Sequence, residues 1–126
     1  MDALCILLAG RTTVLAASLF SLSWTHSAQK SEWREEWRVT PAGLVLTQAR
    51  VKGSGAGMEP PEGSRLIDGW WVYRPDLPAR ETVLLASSGM TGGGWKLCAA
   101  GRCMDLGETA GVPIELSRCD AATPAR

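Results

Sequence analysis

Asparagine is missing from all 126 residues, and with it any N-x-[ST] acceptor for glycosylation. Charge of one sign is also lacking: 13 basic residues balance 13 acidic ones and no run of like charge occurs. Nucleic acid and anionic lipid surfaces therefore find no electrostatic footprint here. No apolar stretch reaches the ~18–20 residues of a spanning helix, because Gly10 and Arg11 cut the apolar region between Ala3 and Trp24 in two. The same cut, with acidic Asp2 where a secretory leader carries basic residues, argues against a signal peptide. The expectation is a cytoplasmic chain with no transmembrane segment, its first strands beginning near Met1.

What is present suffices for one core. A chain of this length with 45% hydrophobic residues makes a single domain, 1–126. Leu4 to Ala9 and Thr12 to Ala16 read as a hairpin turning at Gly10 and Arg11. The clearest alternation follows: Phe20, Leu22, Trp24 and His26 share one face, with Ser21, Ser23, Thr25 and Ser27 on the other. It resumes with Trp33, Glu35, Trp37 and Val39 opposite Arg34, Glu36, Arg38 and Thr40, which places one acid on an aromatic face. Thr40-Pro41-Ala42-Gly43 suits a type I turn, and Leu44 to Val51 returns as the third strand of a meander. Gly53 to Gly69, rich in glycine and containing Pro60 and Pro61, is expected to be irregular. Trp70 to Arg74, Thr82 to Ser87, Trp95 to Ala99, Cys103 to Leu106 and Ile114 to Leu116 supply further short strands. The fold class is all-β, an antiparallel, hairpin-rich sandwich or barrel of about eight short strands.

The polar residues worth following are few. If the strands around Trp24 and Trp37 pair, His26, the only histidine, and Glu35 fall on one face, with Arg50 on the next strand able to complete a charge-balanced cluster. A carboxylate beside an imidazole fixes its tautomer and raises its pKa, which suits a general base or a ligand-binding group. The same three groups equally make a buried structural cluster, since buried charge demands pairing for its own sake. Ser27 follows His26 directly and so points to the opposite face, and no G-x-S-x-G elbow surrounds Ser54; hydrolysis or acid–base chemistry by His26 and Glu35 is thus an alternative rather than the first reading. Gly53-Ser54-Gly55-Ala56-Gly57 lacks the spacing of a phosphate loop, although its backbone amides could still cradle an anion.

Four cysteines allow three states. In a cytoplasmic chain they are reduced thiols; Cys98 and Cys103, flanking a four-residue turn, could join in a disulfide; or they could form half of a zinc site, with Cys5 and Cys119 remote. No metal and no cofactor is expected. The six tryptophans serve most plainly as core on both faces of a sandwich, and adjacent Trp70 and Trp71 cannot share one surface.

W-T-H-S at Trp24, W-R-E-E-W at Trp33, T-P-A-G-L at Thr40, A-R-V-K-G-S-G-A-G-M-E-P-P at Ala49 and D-G-W-W at Asp68 together resemble the small bacterial DUF1850 family, and the likeness runs over most of the chain. The arginine-rich composition, with lysine only at positions 30, 52 and 96, agrees with a GC-rich bacterial genome. Where the family has H-S-V-E, this chain has Ala28 and Gln29 after His26 and Ser27. His26, Ser27, Glu35, Arg50, Gly55, Ala56 and Gly57 occupy positions of the family motif and are the ligand-binding candidates. The resemblance supplies no reaction. It implies an accessory role beside TAXI-type TRAP solute uptake, with a transporter component or its small organic-acid ligand as partner and a periplasmic or membrane-associated setting as the alternative to the cytoplasm. The leading expectation is a non-enzymatic binding domain; a purely structural assembly module is the third reading.

Overall fold

The protein is described by a computed structural model over residues 2–26, 31–52, 62–86, 94–107 and 111–120. Among these residues there is no helix. Eleven strands form, β1 (Asp2–Leu8), β2 (Arg11–Leu15), β3 (Leu19–His26), β4 (Ser31–Thr40), β5 (Gly43–Lys52), β6 (Arg65–Ile67), β7 (Trp70–Tyr73), β8 (Thr82–Leu85), β9 (Trp95–Ala99), β10 (Arg102–Leu106) and β11 (Ile114–Asp120). All pairings are antiparallel, in two sheets ordered β2-β1-β11-β8 and β10-β9-β3-β4-β5-β7-β6. Neither sheet closes on itself, so the architecture is a sandwich and not a barrel. The count exceeds the expected eight or so because partners such as three-residue β6 are too short to show a period; β6 also lies inside the stretch expected to be irregular.

Three hairpins turn through two residues with positive φ at both, Ala9-Gly10, Asp68-Gly69 and Ala100-Gly101. That geometry matches the right-handed twist of the strands it joins, which is why such short loops recur. The β4–β5 hairpin is closed differently: the Thr40 hydroxyl accepts from the Ala42 amide and donates to the Gly43 carbonyl. Gly43 is required there, since at φ 128° a side-chain carbon would collide with the Arg80 carbonyl oxygen. Reciprocal backbone hydrogen bonds of 2.8 Å between Leu44 and Arg80 hold the segment before β8 against the large sheet.

The core lies between the sheets. Leu4, Ile6, Ile114 and Leu116 come from the small sheet; Leu22, Leu44, Leu97 and Val51 come from the large one, all essentially without solvent contact. Each such side chain contributes about 1.5–3 kcal/mol on burial. Phe20 stacks on Trp37 at 6.0 Å between ring centroids at the centre of this layer. The expected alternation on β3 and β4 is what places Phe20, Leu22 and Trp37 inward.

One irregularity reorders the large sheet. Trp37 pairs with Leu46 but Glu36 pairs with Gln48, leaving Thr47 as an extra residue on β5. Its hydroxyl donates to the Glu36 carbonyl at 3.0 Å. Before this bulge Leu44 and Leu46 face inward; after it Ala49 and Val51 do.

Cysteine pairs close the two sheets internally. Cys5 on β1 is bonded to Cys119 on β11, and Cys98 on β9 to Cys103 on β10, so no cysteine is free. The reading of the cysteines as reduced thiols gives way to two disulfides, which leaves no thiolate to ligate zinc.

Candidate functional site

Strand register assigns each functional side chain its row. On the inner face of the large sheet, Leu97, Leu22, Glu35, Ala49 and Tyr73 lie opposite one another across β9, β3, β4, β5 and β7. The adjacent row carries Trp24, Trp33, Val51 and Trp71, and Trp95 of β9 extends it, its ring 4.6 Å from that of Trp24. Trp24 also stacks on Trp33 at 6.0 Å. Glu35 is thus the one acid inside an aromatic and aliphatic field.

The segment before β8 and β8 itself form the facing wall. Together they bound a cleft of about 340 Å³ whose floor is Trp24, Glu35, Trp37, Leu46 and Trp95 and whose other side is Leu77, Pro78, Arg80 and Val83 to Leu85. That volume is in the range of small-molecule sites. Leu77, on this wall, stands 53% exposed, so the mouth presents apolar surface to water.

Trp37 donates its indole N–H to Glu35 Oε1 at 3.0 Å. Among the described residues no second donor and no cation within salt-bridge distance meets this carboxyl. Burial pushes the Glu35 carboxyl above its ordinary range, and the Trp37 hydrogen bond opposes that only in part. The Tyr73 hydroxyl, in the same row, is pushed up first by burial and then by the charge of Glu35. The indole N–H of Trp95 is committed to the Ala86 carbonyl at 3.0 Å, which fixes that ring against the β8 wall.

The expected convergence of three polar groups does not occur. Glu35 lies opposite Leu22, whereas His26 lies opposite Ser31, four residues further along β3, about 13 Å of strand. Arg50 lies opposite Arg34 and so on the outer face, away from Glu35. The bulge at Thr47 is the cause: unbroken alternation from Leu44 and Leu46 would have carried Arg50 inward. On the outer face its guanidinium sits 3.9 Å from Glu36, which Arg34 already engages at 2.9 Å, and 5.8 Å from the Trp70 ring, which Lys52 approaches from 5.6 Å. These exposed pairs hold side chains in place and contribute little stability. Ser27, Gly55, Ala56 and Gly57 lie outside the described residues, as does the side chain of His26.

A wider groove of about 880 Å³ runs beside β6 and β7, lined in part by Glu62, Arg65, Arg74 and Asp76. Its charges balance, and unlike the first cleft it places no buried acid among apolar walls. Among the described residues no three His, Cys, Asp or Glu side chains gather as a metal ion would require.

Of the cleft residues, sequence reasoning singled out Glu35 and missed Trp24, Trp37, Trp95, Arg80 and Val83. The alternation that put Glu35 between Trp33 and Trp37 was the available signal; that β8 packs opposite them is a long-range fact no local pattern carries. No curated protein and no solved structure matched the chain. The sequence model of one family, described as "Domain of unknown function (DUF1850)", matches residues 20–106, a span that contains every residue of the cleft, and the chain belongs to that family.

Proposed function

We propose that this DUF1850 protein is a binding domain that takes a small, largely apolar molecule into the inter-sheet cleft and orients it on Glu35. The observation that carries this reading is the pairing of a half-buried carboxyl, satisfied once by Trp37, with an open apolar cleft of about 340 Å³. A carboxyl among tryptophans is costly for the fold alone, and sites that recognise small molecules have this build of apolar walls and one placed polar group. Acid–base catalysis by His26 and Glu35 is less favoured, because the register separates their backbones by four residues.

The association with TAXI-type TRAP transporters that the resemblance implies gives the reading a setting, in which the protein serves solute uptake by holding a transported or regulatory small molecule. Two disulfides suit an oxidising compartment better than the cytoplasm, which favours the exported setting for this accessory role.

The test is a thermal-shift screen of small organic acids, amines and neutral ring compounds against the wild type and Leu77→Trp. Leu77 lines the cleft and is 53% exposed, so a larger ring there obstructs entry without entering the core, whereas Leu84 alternates with inward Val83 and Leu85 and faces away. Compounds that raise Tm in the wild type and not in the variant support the cleft as the site. Compounds that raise both equally overturn it.

A further inference from the structure

We infer that the molecule this cleft takes is an organic cation, an amine or alkylammonium carried on an apolar ring or branched chain. The inference rests on the cleft being a ligand site and adds the chemistry of its occupant. Three features of the floor converge on it. Glu35 reaches the cleft with no cationic partner among the described residues, although acids withdrawn from water are ordinarily matched by one. Its single donor among the described residues is Trp37, so the rest of the carboxylate stands open to a cation from outside. Around it Trp24, Trp37 and Trp95 line the same space, and tryptophan has the strongest attraction of any side chain for a cation placed over its ring.

An anionic occupant meets the opposite situation, since its charge must approach a carboxyl in a low-dielectric slot where repulsion is poorly screened. Arg80 is the other charged residue on the wall, but it is exposed at the rim. A neutral occupant gains the apolar burial and at most a neutral hydrogen bond to Glu35, leaving the charge of the carboxylate unbalanced. Only a cation matches the charge of the carboxylate while also using the aromatic floor.

The experiment is isothermal titration of the full chain with three probes of similar size: benzyltrimethylammonium, 2-phenylethanol and 3-phenylpropionate. Each is run on the wild type, Glu35→Gln and Leu77→Trp, with circular dichroism confirming the fold of the variants. The ammonium probe is expected to bind at least about tenfold tighter than the other two, to lose that margin in Glu35→Gln, and to lose all binding in Leu77→Trp. Its affinity should also rise as pH climbs above the ordinary carboxylate range, because its own charge is permanent and Glu35, pushed upward by burial, gains its charge only past that range. The ionisable groups of the described residues that border Glu35 are Tyr73 in its row, whose hydroxyl is pushed up by burial and by the charge of Glu35, and Arg80 on the facing wall. If the alcohol or the acid binds as tightly as the ammonium and Leu77→Trp still blocks it, the ligand class is wrong and the cleft reading stands. If no probe binds, or if binding ignores Leu77→Trp, both fall.

Discussion

Glu35 is held away from water by tryptophans and receives one indole hydrogen bond, so its protonated form is better accommodated in the folded protein than in the unfolded chain. The sign follows from linkage. With the folded pKa raised, the unfolded chain releases this proton first as pH climbs; stability that is present below the ordinary carboxylate range is lost progressively until the folded group has ionised as well. Glu35→Gln keeps an acceptor for Trp37 and removes the charge. Urea titrations are expected to show the variant equal to wild type or slightly weaker near pH 4, and stronger by up to about 1 kcal/mol at pH 7. A wild type whose advantage over the variant grows with pH would contradict this assignment of the carboxyl's surroundings. Glu35 was legible as a special position because it interrupts an aromatic face with period two. The residues that make its environment apolar from the other side, Val83 and Leu85, were legible only as members of a strand.

At the scale of the element, the bulge in β5 decides which side chains meet. Deleting Thr47 preserves the partners Trp37 with Leu46 and Glu36 with Gln48, and Ala49 and Val51 stay inward. The deletion is expected to fold, losing about 1–2 kcal/mol with the hydroxyl's hydrogen bond to Glu36 and the local twist. Deleting Arg50 instead turns Val51 outward and Lys52 into the tryptophan row, and its denaturation midpoint should fall several times further. This element also shows where reading the chain fell short. The strands β3, β4 and β5 were each recognisable from alternation and from the turn at Pro41-Ala42, but a bulge changes parity without a sequence mark as strong as glycine, so Arg50 lies on the face opposite to the one expected. The two-residue turns offer a second test. Ala100 is exposed and adopts φ 51°, a conformation that asparagine tolerates better than alanine. Ala100→Asn should raise stability by about 0.5–1 kcal/mol, measured as an increase in Tm without change in the far-UV spectrum.

For the whole molecule, the all-β class followed from short apolar segments set off by glycine and proline, and it holds because alternating residues fill one layer between two sheets. The sheet order did not follow: β11 lies between β1 and β8, and β9 lies beside β3, pairings between distant segments that local pattern does not encode. The cysteines belong to the same class of long-range fact. Cys5 and Cys119 are separated by 114 residues, Cys98 and Cys103 by five. The first closes a far larger loop in the unfolded chain, so Cys5→Ser with Cys119→Ser is expected to cost about 3–5 kcal/mol, against about 2 kcal/mol for the Cys98 and Cys103 pair. Chemical denaturation of the two double variants, beside wild type with and without reductant, measures both. Because the longer crosslink ties the first strand to the last, a single protease cut anywhere between them produces two pieces that still travel together: a non-reducing gel would show one band of nearly undiminished mass, and only a thiol reagent would reveal that the backbone had been severed.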